Sequence, residues 1–374
     1  MKIAIVCYPT HGGSGVIASE LALGLAERGH EIHIVSYATP FRLRQFSQNV
    51  FIHEVEVATY PLFKYPPYAL GLATKLVDIH EEHHLDLIHA HYAVPHAASA
   101  FLARKILRAE DLKIITTLHG TDITLVGADQ SFHRVIKFSI EESDGVTAVS
   151  NFLKMRTIEE FEIKKDIRVI YNFVDTSRCC DKSHECAREK YAPRGEKILM
   201  HASNFRPVKR VSDVVRIFAR VRERLPAKLL LVGEGPERLF VQQLVKELRL
   251  TPDVWFLGEQ DYIEHVLSCA DLLLLPTEQE SFGLVALEAH SCGVPVVGSR
   301  TGGLPEVVVD GETGFLLPVG EVASMAEKAV QILTDPDLEA RFRKAARERA
   351  VTCFEKKLIL PQYETFYREV LQGA

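Results

Sequence analysis

Short apolar runs rich in Val, Ile and Leu alternate with stretches of helical periodicity from one end of the chain to the other. This alternation predicts the α/β class, because parallel strands need crossovers long enough to hold a helix, and the helices then cover both sheet faces. One series of strands is expected at 2–7, 31–36, 86–89, 113–117, 145–149 and 167–170. A second is expected at 197–201, 228–232, 254–257, 271–275, 295–298 and 314–317. Between them, residues 171–195 lose periodicity and collect Asp, Ser, Cys, Pro and Gly, as a linker does.

At 374 residues and 47% apolar content the chain exceeds one ordinary core, so two doubly wound Rossmann-like domains facing a cleft are expected, 1–170 and 196–355. The tail from about 336 reads as two helices. The last, about 356–374, carries Leu360, Tyr363, Phe366, Tyr367 and Val370 at helical spacing and is expected to pack back on the N-terminal domain.

The net charge of -6, with Lys and Arg dispersed, argues against a nucleic-acid partner. No apolar stretch is long enough to span a bilayer and no leader precedes the first strand, so a soluble cytoplasmic protein is expected, without a membrane partner. Seven scattered cysteines read as reduced thiols. Cys179, Cys180, His184 and Cys186 match no zinc spacing, and His80, His83, His84, His89 and His91 have no Asp or Glu pattern to complete a shell, so no metal site is expected.

Four places carry chemistry. His11-Gly-Gly-Ser-Gly15 lies between a strand and a helix, where amides free of Cβ obstruction suit a phosphate. Gly13, Gly15 and Ala18 formally satisfy the dinucleotide fingerprint, but the second strand, His33-Ile-Val-Ser-Tyr-Ala38, ends without the acid that binds a dinucleotide ribose. Ser203-Asn-Phe-Arg-Pro-Val-Lys-Arg210 sets Arg206, Lys209 and Arg210 at the carboxyl end of a strand, well placed for a diphosphate. Glu280-Ser-Phe-Gly-Leu-Val-Ala-Leu-Glu288 places one acid in a loop and a second inside a helix that Ser281 is expected to cap. His119-Gly-Thr-Asp122 follows a further strand and is expected to face the cleft.

Taken in order, these elements resemble the retaining GT-B glycosyltransferases of the large family that includes sucrose synthase-like and mannosyl enzymes. Where that family writes Arg five residues before its Lys, this chain has Asn204 and carries its Arg at 206. Within the family, Cys7 to Gly15, His89 to His96 and Ser203 to Arg210 are similar to members that transfer N-acetylglucosamine from UDP-N-acetylglucosamine to the hydroxyl of L-malate, opening bacillithiol biosynthesis.

The resemblance implies donor contacts from Gly13, Gly15, Asn204, Arg206, Lys209, Arg210, Glu280, Phe282, Gly283, Leu284 and Glu288. Glu288 would hold the ribose, Glu280 to Leu284 the sugar hydroxyls, and His119 the sugar near its 6-hydroxyl. His119, Glu280, Arg206 and Lys209 are the catalytic candidates. Ser14, Tyr92, Thr117, Lys154 and Arg156 are candidates for a small hydroxy-acid acceptor, since a dicarboxylate wants cations or helix N-termini. No cofactor is implied: the UDP-sugar is a substrate, and no Asp-x-Asp motif falls within these four places. Another acceptor on the same fold, a UDP-sugar epimerase and a homo-oligomeric state stay open at this level.

Overall fold

A computed structural model describes residues 1–10, 12–57, 64–124, 129–179 and 188–373. It contains two open, wholly parallel sheets. The first is built from β1 Lys2–Val6, β2 Glu31–Ser36, β3 Val50–Glu54, β4 Leu87–His91, β5 Lys113–Leu118, β6 Gly145–Ala148 and β7 Arg168–Val169, in the order β3-β2-β1-β4-β5-β6-β7. The second comprises β8 Lys197–Ala202, β9 Ala227–Val232, β10 Val254–Gly258, β11 Leu272–Leu275, β12 Val296–Ser299 and β13 Gly314–Leu317, in the order β10-β9-β8-β11-β12-β13. Strand order reverses beside β1 and β4 in one sheet and beside β8 and β11 in the other. In open α/β sheets, ligands bind at the carboxyl ends of strands at these reversals.

The central strands are apolar without alternation because helices cover both their faces. Ile3, Ala4, Ile5 and Val6 of β1 are fully buried, as are Leu229, Leu230 and Leu231 of β9. β3 is absent from the expected set. It is an edge strand whose Phe51 and Ile52 stay exposed, so Val50-Phe-Ile-His-Glu54 carries no burial pattern for a sequence reading to find.

The chain divides into Met1–Asn172 with Lys357–Ala374, and Phe173–Lys356. The expected linker 171–195 is therefore not a separate piece. Val174 bridges Glu355, and Asp175 caps the single turn Thr176–Arg178 through Ser177 N–H, so this stretch is tied into the second unit. Residues 180–187, including Cys180, His184 and Cys186, lie outside the described residues.

The cysteine expectation is corrected. Cys179 is disulfide-bonded to Cys292, 113 residues away, because the fold brings this segment against the end of helix Leu284–Ser291. Cys269 is also disulfide-bonded, whereas Cys7 and Cys353 are free.

The final helix, Lys356–Gln372, buries Tyr363 and Tyr367 completely in the first unit, and Tyr367 Oη lies 2.7 Å from His89 Nδ1. A Cβ on Gly145 would sit 2.8 Å from atoms of Phe366 and Val370, so β6 and this helix meet where no side chain fits.

Glu364 fastens the same helix, accepting from Arg28 at 2.7 Å and lying 2.8 Å from His30 Nε2. The Arg28 hydrogen bond holds this carboxyl down to about 2 from an ordinary 4.5, with the His30 bond adding to the effect. A depressed acid stabilises the fold above its unfolded value and loses that contribution as pH falls through the folded one. Glu364→Gln is accordingly expected to cost about 1–3 kcal/mol at neutral pH. Urea unfolding at a series of pH values should show the gap to the parent closing between about 4.5 and about 2.

Candidate active site

In the first unit the loop after β1 leads into helix Gly13–Glu27, whose N-cap is Gly12. The amides of Gly15 and Val16 both donate to the Gly12 carbonyl, at 3.0 and 3.2 Å, so the donors the loop can offer a ligand are those of Gly13 and Ser14 rather than Gly15. Gly15 has a different task. A Cβ there would lie 2.3 Å from the Thr10 carbonyl oxygen and 2.9 Å from that of Tyr8, both backbone atoms that cannot swing aside. Only glycine lets the helix begin this close to the strand it follows.

Ser14 accepts a hydrogen bond of 2.7 Å from the Tyr92 hydroxyl. Tyr92 follows β4 with φ +94°, an unfavourable backbone for a residue with a side chain, and its N–H donates to Thr117 O at 2.9 Å. Its ring stands 5.6 Å from Tyr8 and 5.3 Å from His119. His119, after β5, stacks on His91 at 5.0 Å with the planes 19° apart, and His91 Nδ1 lies 2.8 Å from His119 Nε2. Burial lowers the His119 pKa to about 3, with His96 adding to the effect, so the ring is neutral at physiological pH. Asp122 folds the turn by accepting from Gly120 N at 3.0 Å and Ala93 N at 3.1 Å, and burial raises its carboxyl to about 6.

The other acceptor candidates fare differently. Thr117 is fully buried, with its hydroxyl shared between His89 Nε2 and Thr147 Oγ1 at 2.7 Å each, so it serves the strand network and not a ligand. Lys154 pairs with Asp166 at 3.2 Å and Arg156 with Glu160 at 2.9 Å. Two residues apart on helix Asn151–Phe161, they point to different sides, and neither is hydrogen-bonded or ion-paired to Ser14 or Tyr92.

In the second unit the loop after β8 carries the basic group. Phe205 has φ +38° and is fully buried, which plugs the loop into the core while Asn204 and Arg206 stay exposed. The turn Pro207–Lys209 then delivers Lys209 Nζ to Glu280 Oε2 at 2.8 Å. The two are 71 residues apart, and their side chains are 21% and 14% exposed. Arg210 is held by Asp213 at 2.6 Å, whereas Arg206 has no acidic partner among the described residues. Two of the catalytic candidates are thus one ion pair, with a free guanidinium three residues before its lysine.

Glu280 is fixed by its backbone. Its carbonyl accepts from Gly303 N at 2.8 Å, and a Cβ on Gly302, which has φ +58°, would fall 1.8 Å from that same oxygen. Phe282, 2% exposed, packs edge-on to Phe354 at 5.8 Å.

The helix begins later than expected. Gly283, at φ +98°, is the N-cap of Leu284–Ser291 and no side chain caps it, so Ser281 lies outside the helix start. Glu288 sits one turn in, 7% exposed. The opening amides of this helix and the buried acid behind them make one surface that suits phosphate and hydroxyl ligands together.

The sequence reading passes over the glycines that set these loops. Cβ atoms on Gly233 and Gly235 would lie 1.9 and 2.0 Å from the carbonyl oxygens of Ser203 and Asn204, so the Gly-Glu-Gly after β9 supports the basic loop as Thr301-Gly-Gly303 supports Glu280. Close-set glycines just after strands are the available signal. His91, the partner of His119, carries no local signal of its own, because its role depends on a neighbouring strand.

Residues 11–178 match the model described as Glycosyltransferase Family 4, and residues 184–349 that of Glycosyl transferases group 1. Over 373 residues the chain is 48% identical to the N-acetyl-alpha-D-glucosaminyl L-malate synthase of Bacillus anthracis, covering 100% of this chain and 98% of the relative. The chain belongs to the family 4 glycosyltransferases. As a family 4 glycosyltransferase it has the expected GT-B fold and acts as a hexosyltransferase.

Solved structures of this fold include Anabaena Alr3699/HepE in complex with UDP and glucose, with a TM-score of 0.82, 23% identity and 98% of each chain covered. Sucrose-phosphate synthase of Thermosynechococcus elongatus superimposes with a TM-score of 0.81 at 23% identity over 100% of both chains. Among the described residues of this glycosyltransferase, no helix is long and apolar enough to cross a membrane.

Proposed function

We propose that this glycosyltransferase moves N-acetylglucosamine from UDP-N-acetylglucosamine to the hydroxyl of L-malate with retention at the anomeric carbon, the first step of bacillithiol biosynthesis, in the cytoplasm. The observation that carries this reading is the 48% identity to the malate synthase across the whole chain, which is too extensive to reflect the fold alone.

The second unit is the donor side. Arg206 and Lys209 offset charge growing on the β-phosphate as its bond to the sugar breaks, acting as preorganised donors in place of a cofactor. Glu280 accepts from sugar hydroxyls while Lys209 holds it in place, and Glu288 binds the ribose. The first unit is the acceptor side, where the Ser14–Tyr92 hydroxyl pair and the first amides of helix Gly13–Glu27 suit a carboxylate. His119 takes part as a neutral ring. Its Nε2 is engaged with His91 Nδ1, which leaves Nδ1 for the 6-hydroxyl of the sugar.

Retention follows from same-face attack. The acceptor oxygen bonds to the anomeric carbon on the side the diphosphate leaves, and the hydroxyl proton passes to the departing phosphate oxygen.

UDP release measured against a panel of hydroxy acids and sugars tests the assignment. Malate should stimulate release well above every other acceptor. Equal stimulation by unrelated acceptors, or epimerised UDP-sugar without any acceptor, would reject it.

A further inference from the structure

Away from the catalytic loops, the first sheet assembles a cluster of imidazoles that the glycosyl transfer does not use. His33 lies on β2 and His53 on β3. In the parallel register His53 pairs with Val35 and Phe51 with His33, so both histidines project from the same sheet face, one diagonal step apart. That face is covered by helix Tyr68–His83, whose Leu72, Leu76 and Ile79 share a core with Val35. His83 follows Ile79 by four residues, one further turn along the same helix face, and so arrives over the two strand histidines. The His33 ring stands 5.1 Å from that of His53 and 4.3 Å from that of His83.

We infer that His33, His53 and His83 form a binding site for a divalent transition-metal ion of the zinc type, with Glu31 as the outer carboxylate. One ring nitrogen from each histidine can be chosen so that all three lie within 4.8 Å of one another. Glu31 Oε1 is 3.1 Å from His33 Nε2, which directs His33 Nδ1 to the inside, 2.9 Å from His53 Nε2. A tetrahedral zinc with bonds of about 2.0–2.1 Å sets its nitrogen ligands about 3.3 Å apart, within the spread already present. A carboxylate bound to the outward nitrogen of a ligating histidine is the usual way such a ring is oriented and its tautomer fixed.

His33 is fully buried, whereas His53 and His83 are half-buried, which gives an ion a route in from solvent. The sequence does not announce the site, because its ligands come from three elements with no fixed spacing.

Full-length protein stripped with a chelator and titrated with Zn²⁺ against a chromophoric competitor tests this directly. A single equivalent should bind tightly, Mg²⁺ should not compete, and Co²⁺ should give the visible spectrum of a tetrahedral nitrogen site. His53→Ala and His83→Ala, both at half-buried positions, should abolish binding. Glu31→Gln, which removes no ligand, should weaken binding by about 10–100-fold. UDP release should be unchanged by the chelator and by His53→Ala, so the outcome does not depend on the catalytic assignment. Failure to bind Zn²⁺ stoichiometrically, or binding that survives in both histidine variants, overturns the proposal.

Discussion

Replacing Glu280 by Gln is expected to lower turnover by about 10²–10³-fold, the usual loss on removing one preorganised electrostatic group from an active site. The substitution keeps the side chain's size but removes the charge that meets Lys209 at 2.8 Å, so the acceptor for the sugar hydroxyls and the anchor of the lysine fail together. Because the two residues act as a unit, Lys209→Ala should cost a similar factor, and the double variant should be little worse than either alone. Steady-state rates of UDP release for the four proteins supply the comparison. A Glu280→Gln enzyme with near-parental turnover, or losses that multiply fully in the double variant, would contradict the assignment.

Gly302→Ala should be nearly as damaging without touching a reacting group. The added Cβ would fall 1.8 Å from the Glu280 carbonyl oxygen and 2.9 Å from its carbon, both backbone atoms, at a φ of +58° that already disfavours alanine. The loop has to move by roughly an ångström, and a shift of that size in a positioning element costs about 10²-fold in rate. Gly311→Ala is the control. Gly311 has a comparable φ of +79°, but an added Cβ there would meet nothing within 4 Å, so this variant should lose about 1 kcal/mol of stability by backbone strain and keep its turnover. Thermal unfolding run beside the activity assay separates the two effects. Equal turnover in the two variants would show that the contact with Glu280 does not position the site.

The two-sheet architecture was legible because fully covered parallel strands write themselves as continuous apolar runs, as in Ile3 to Val6 and Leu229 to Leu231. β3 was not, since an edge strand with Phe51 and Ile52 exposed has no such run. The acid pair and the basic loop were legible as types because charge set in apolar surroundings demands a partner. Their pairing was not, for Lys209 and Glu280 meet only through the adjacency of β8 and β11.

Thr117 misled for the complementary reason. A hydroxyl near the end of a strand looks available until the neighbouring strands supply His89 and Thr147 to use it. The cysteines misled in the same way, since nothing local to Cys179 foretells Cys292. Local chemistry is written in the sequence, whereas which group satisfies which is decided by strand order.

Glu280, Glu288 and the Arg206 guanidinium of the second unit are proposed to serve transfer of a sugar to malate with its configuration kept. Proton NMR of a reaction containing UDP-N-acetylglucosamine and L-malate tests it most directly. A new α-configured anomeric signal on malate, growing in step with UDP and absent when malate is omitted, is the expected result. A β-configured product, free N-acetylglucosamine in place of a conjugate, or an unaltered mixture would contradict it.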